Sequence, residues 1–118
     1  LLMGGFMTEI SKRTVLYVYC CKFSGIPAVK IGWSTDPIKR CLKLGFFDKM
    51  SWFKVSADKS KIMCYEAMLH NAFSDYRFFG ELPTSLHDGR TEYFEEHCFN
   101  RFKDVCEILK LDFHVYKN

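Results

Sequence analysis

The stretch VLYVYCCKFSGIPAVKIGW, residues 15–33, decides the fold. Val15 to Lys22 is dense in β-branched and aromatic residues and reads as a strand. Ser24-Gly25-Ile26-Pro27 punctuates it, and Ala28 to Trp33 reads as a second strand. A connection this short makes the two strands a hairpin. Side chains alternate along a strand, so Tyr17 and Tyr19 share one face, while the adjacent Cys20 and Cys21 point to opposite faces. Lys30, on the second strand, is a cross-strand neighbour of the tyrosines in an antiparallel hairpin.

Outward from the hairpin, Ser34-Thr35-Asp36-Pro37 carries helix-capping oxygens followed by proline at the first helical position. This predicts a helix to about Leu44, stopped by Gly45, with Ile38, Cys41 and Leu42 as its apolar stripe. Met50 to Ser56 reads as a third strand. Asp58 caps a helix from Lys59 to about Phe73. Arg77 to Arg90 has no periodicity and reads mostly as loop, and Thr91 to Phe94 as a short extended piece. Cys98 to Lys110 is an amphipathic helix with Phe99, Phe102, Cys106 and Leu109 on one face, and the alternation of Leu111, Phe113 and Val115 fits a last strand. The expectation is one α+β domain over residues 1–118, a small, mainly antiparallel, three-stranded sheet flanked by helices.

Composition sets the bounds. The chain has 118 residues, 48% hydrophobic and 17% aromatic, which supplies a core for one domain and excludes a disordered chain. No apolar run approaches the ~18 residues needed to cross a membrane, so no membrane partner is expected. Leu1 to Ile10 lacks a basic segment followed by an apolar stretch, so no secretory signal is expected there, and an intracellular chain with its six cysteines as free thiols is. His70, His87, His97 and Cys98 lack zinc-finger spacing. The net charge of +3 is uneven: residues 1–61 carry eleven Lys/Arg against four acids, and residues 62–118 six against ten. A basic half of this kind faces a polyanion or is simply a solvated lysine-rich surface.

Three residue types stand out against this background. Turning ~100° per residue from Ile62, Glu66 falls about 40° away, beside Leu69 and Phe73, inside the apolar stripe of its helix. An ionised carboxylate there needs a metal, a hydrogen bond or a lysine partner. His70 shares its edge one turn on. Arg40 lies about 150° from the stripe of its own helix and is either solvated or free to meet a phosphate with bidentate geometry. Lys39 and Lys43 flank it, and with Arg77 they are candidates for nucleic-acid contact. Strand tyrosines such as Tyr17 and Tyr19 pack and keep a wet hydroxyl, or serve a site.

Taken together, the order and spacing of Tyr19, Lys30-Ile31-Gly32, Arg40 and Glu66 resemble the GIY-YIG nuclease superfamily. Val18-Tyr19 stands where the first signature has Ile-Tyr, and Lys30-Ile31-Gly32 where the second has Tyr-Ile-Gly. The string KIGWSTDPIKRCLKL, then YEAMLHNAF, Arg77, Gly80 and Glu92-Tyr93-Phe94, is similar to a branch found in phages and large DNA viruses, with Lys-Ile-Gly and a Glu-x-x-x-His pair on the second helix. The resemblance spans about residues 15–94. It implies a metal-dependent endonuclease acting on nucleic acid, DNA above all. In it Glu66 binds Mg²⁺ or Mn²⁺, and Arg40 stabilises the phosphoryl oxygens. Tyr19, lowered in pKa by Lys30 or Arg40, orients or deprotonates the attacking water, with Tyr17 and His70 beside them. The chain departs from the pattern at Tyr17, where the family has glycine, at Lys30, where it has tyrosine, and at Leu44, where some members have histidine. A competing reading keeps the fold without turnover, as a protein that binds nucleic acid or a host protein and interferes with it, using aromatic surfaces such as Tyr76, Phe78 and Phe79. An enzyme requires Tyr19, Arg40 and Glu66 to converge; a binder does not.

Overall fold

A computed structural model describes residues 15–44, 47–55, 58–86 and 92–117. The decisive hairpin is present: β1 (Leu16–Phe23) pairs antiparallel with β2 (Ala28–Ser34), with Tyr19 opposite Gly32 and Cys21 opposite Lys30. Gly25 turns the chain between them at φ +77°, a conformation that L side chains avoid. Helix α1 (Pro37–Leu44) follows. Ser34 Oγ accepts from the Asp36 N–H at 3.0 Å and Asp36 Oδ1 from the Lys39 N–H at 3.1 Å, so side-chain oxygens satisfy the helix start. β3 (Phe47–Val55) pairs with the other side of β1. Helix α2 (Lys59–Ala72) begins at Asp58, whose carboxylate accepts from the Ser60 and Lys61 N–H groups at 2.9 and 3.4 Å. Then come β4 (Tyr93–Glu95), α3 (Cys98–Ile108) and β5 (Phe113–Lys117).

Among the described residues the sheet has five strands in the order β4-β2-β1-β3-β5, with every neighbouring pair antiparallel. The fold is α+β as expected, but the expected three-stranded sheet is too small. The short extended piece and the last alternating segment both pair, and they extend the sheet at its two edges. Residues 84–86 of the expected loop form a 3₁₀ turn. Residues 1–14, Gly45, Ser56 and residues 87–91 lie outside the described residues.

Strand alternation divides the core. Leu16, Val18 and Cys20 of β1, Val29 and Ile31 of β2, and Phe53 and Val55 of β3 face α2 and α3, where Ile62, Leu69, Phe73, Phe99 and Phe102 cover them. Tyr19, Cys21, Phe23, Met50 and Tyr93 lie on the other face with Cys41 of α1 and Leu86. In α1 the buried residues are Pro37 and Cys41, with Ile38 and Leu44 packed against the core; Leu42, expected in the stripe, is 59% exposed. An eight-residue helix lying on a twisted sheet contacts it through i, i+4 and i+7, which leaves Leu42 at the rim. All six cysteines are free thiols. No helix among the described residues is long and apolar enough to cross a membrane.

Phe102 is fully buried, its ring 5.9 Å from that of Phe53 across the sheet–helix interface. Phe102→Ala should lower the unfolding free energy by about 3–5 kcal/mol in chemical denaturation, because lost transfer energy and a cavity add. A loss under about 1 kcal/mol would place Phe102 outside a packed core.

Candidate functional site

β4 pairs with Ala28, Val29 and Lys30 only, so Ile31 to Ser34 have no strand on that side among the described residues. A backbone carbonyl at such an edge needs another donor. His70 supplies it: its Nε2 lies 2.8 Å from the Ile31 oxygen. A carbonyl only accepts, so Nε2 carries a proton, and in the neutral ring Nδ1 keeps its lone pair. The ring is also held against Phe94, at 5.3 Å between centroids.

Glu66, one turn earlier on α2, faces the same way. One of its carboxylate oxygens, Oε2, is buried and has no hydrogen-bond partner. Its pKa is raised, first by burial; His70 and Lys30 pull it down, and Glu92 pushes it further up. Glu92 enters from the residue just before β4. Ligand atoms of Glu66, His70 and Glu92 all lie within 4.8 Å of one another. Lys30 balances the pair of carboxylates: its nearly buried ammonium is 3.6 Å from Glu92 Oε2 and 5.7 Å from the centre of the Tyr93 ring.

Tyr19 lies on the sheet face that α1 covers. Its hydroxyl is buried without a hydrogen-bond partner, as is that of Tyr93. A Cβ at Gly32 would stand 2.9 Å from the Tyr19 hydroxyl, so the glycine of Lys-Ile-Gly is what makes room for it. Burial is the largest influence on the Tyr19 phenol and drives its pKa well above the ordinary value; Cys41 and Glu92 add to the rise, and Arg40 opposes it. Arg40 thus pulls the pKa down as expected, but the net lowering expected for Tyr19 is overturned. Desolvation of a phenolate outweighs one nearby guanidinium, and Tyr19 stays protonated through the neutral range.

Arg40 is exposed on α1, near enough to act on Tyr19. With Lys39 and Lys43, also exposed, and with Ser34, Thr35 and Asp36, it lines an open cleft of about 190 Å³. Tyr17 is half-buried one row beyond Tyr19, opposite Ser34 and Lys54. Lys30 and Tyr19 are diagonal rather than direct partners, since Tyr19 faces Gly32 and Lys30 faces Cys21. Arg77 stands apart from the cleft, half-buried with its guanidinium 5.8 Å from the Phe94 ring centre. Tyr76 is half-buried under Arg101, and Phe79 is 91% exposed.

Glu66, His70 and Glu92 lie together with Lys30 against Glu92, while Tyr19 and Arg40 belong to the sheet face that α1 covers and are linked to that group only through the field of Glu92 on Tyr19. The sequence offered Glu92 only as the acid preceding Tyr93-Phe94 after a long loop. Nothing in periodicity could reveal that β4 delivers it to Glu66.

The raised Glu66 pKa has a direct consequence. A carboxyl whose folded pKa exceeds its unfolded value, near 4.5, stabilises the fold when protonated, and that contribution is lost as pH rises through the folded pKa. Glu66→Gln should therefore melt at a higher temperature than the parent at neutral pH in chelator, and the gap should close as pH falls toward about 4.5. A gap independent of pH would contradict the buried carboxylate.

Comparison with protein-family models, with curated proteins and with solved structures finds no match to this chain.

Proposed function

We propose that the protein is a metal-dependent endonuclease that cleaves phosphodiester bonds of nucleic acid, with DNA as its substrate. The observation that carries the reading is the gathering of ligand atoms of Glu66, His70 and Glu92 within 4.8 Å of one another.

The donor set fits a hard divalent cation. Two carboxylates and one imidazole suit Mg²⁺ or Mn²⁺. Glu66 Oε2 is a buried oxygen with no protein partner. A metal-bound histidine ordinarily donates its other ring N–H to a carbonyl, as His70 does to Ile31. Bound there, the cation would supply Lewis-acid polarisation of the scissile phosphate. The chain's own groups do the rest. Arg40 offers two parallel N–H donors to phosphoryl oxygens as charge develops on them. Lys30 holds Glu92 in place. Tyr19, a neutral phenol, donates a hydrogen bond from its hydroxyl and orients the reacting group rather than removing its proton. Contact with that hydroxyl requires its cover to shift, since the atom is buried. The same sealing favours a second reading, a binder of nucleic acid or of a host protein without turnover.

Plasmid nicking with and without Mg²⁺ separates the two. The parent chain should nick only with the cation. Glu66→Gln should abolish nicking and also the Mg²⁺-dependent rise in melting temperature, a binding readout independent of turnover. Arg40→Ala should lower the nicking rate by about 10²-fold or more while the metal-dependent stabilisation persists. A folded Glu66→Gln chain that nicks at the parent rate would overturn the assignment.

A further inference from the structure

The sheet face that carries Tyr19 continues beyond the candidate site. Tyr19 stands opposite Trp52 of β3, and Trp52 stands opposite His114 of β5. The three side chains form one cross-strand row running from the central strand to the edge. Burial falls along it: Tyr19 is buried, Trp52 half-buried and His114 exposed. The Trp52 and His114 rings are stacked, with centroids 5.6 Å apart and planes 17° from parallel. Asp112 Oδ1, 3.2 Å from His114 Nε2, fixes the orientation of the imidazole.

β5 is the edge strand among the described residues, so no further strand covers the outer side of His114. The row is therefore a stack with an open end. Exposed basic groups share its face, and the Asp112 carboxylate lies at its outer end. Lys54 occupies the next row of the same face, opposite Tyr17. Lys39, Arg40 and Lys43 project from α1, which packs on this face beside Trp52.

We propose that Trp52 and His114 form a stacking platform for an unpaired base of a nucleic-acid strand, whose phosphates run along Lys54 and the basic side of α1. The chemistry is that of sequence-tolerant single-strand binding: every base has a π-face to stack, and cations track the backbone. Duplex bases have both faces occupied by their neighbours, so the platform selects single-stranded or splayed substrate. A cross-strand aromatic pair can be purely structural. That role explains the inner contact of the two rings, but not an open stack among exposed cations. The proposal rests on the nucleic-acid reading above and narrows its substrate class.

Trp33 and Trp52 are the two tryptophans, so Trp33→Phe leaves Trp52 as the sole indole reporter. In chelator, titration of that chain with a short unpaired deoxyadenylate strand should quench Trp52 emission to saturation. His114→Ala, an exposed change, should weaken the affinity at least about fivefold with an unchanged melting temperature, and Trp52→Leu should do at least as much. A blunt duplex should bind without the quench. Absence of quenching, equal quenching by duplex, or strand affinity unchanged in both variants would overturn the platform; quenching by a protein partner alone would assign the surface to that partner instead. Nicking assays keep the two claims apart. Quenching without any nicking leaves the platform and removes the nuclease, whereas nicking unaffected by His114→Ala and Trp52→Leu, with no quench, does the reverse.

Discussion

β4 stops short. Among the described residues it pairs with three residues of β2 and leaves the second half of that strand with an open side, and a backbone carbonyl there cannot stay unpaired without cost. His70 meets the demand from α2 through a 2.8 Å hydrogen bond to Ile31. That bond fixes the ring tautomer and docks α2 against the open edge. It also fixes the position of Glu66, one turn away on the same helix face. The chain segment that ends the pairing, at Glu92, brings the second carboxylate to the first. The candidate site is thus a product of incomplete strand pairing rather than an addition to a finished sheet.

The electrostatics of the site are deliberately unbalanced. Burial raises the pKa of Glu66, Tyr19 and Tyr93, and Glu92 adds to the rise in all three. Lys30 offsets part of the Glu92 field at 3.6 Å. Two carboxylates packed this closely each favour a cation between them. Buried polar atoms without partners cost about 1–3 kcal/mol each, and three of them (Tyr19 Oη, Tyr93 Oη and Glu66 Oε2) lie where Glu92 acts. A structure tolerates such groups where their partners arrive from outside.

Much of this was legible in the chain. The hairpin followed from β-branched density and the Ser-Gly-Ile-Pro turn, the start of α1 from Asp36-Pro37, and the start of α2 from Asp58. Glu66 was legible because a carboxylate inside a stripe of Ile62, Leu69 and Phe73 violates the helix pattern. The sheet's width was not, because Tyr93–Glu95 and Phe113–Lys117 are too short to declare pairing before the rest of the sheet exists to receive them. Leu42 misled because an apolar residue on a short helix at the rim follows the same period as one in the core. The Tyr19 pKa was misread for a general reason: sequence shows which cations are nearby, but not how deeply the phenol is buried. Glu92 and the Trp52–His114 stack depend on strand register across long loops, which local pattern does not carry.

The central claim is that Glu66, His70 and Glu92 form one divalent-cation site. Anomalous diffraction from crystals grown with Mn²⁺ tests it most directly. The account requires a peak among the two carboxylates and the imidazole, with His70 still donating to the Ile31 carbonyl, and loss of the peak in Glu66→Gln. A well-ordered site holding no Mn²⁺, or a peak that survives the substitution unchanged, would contradict it.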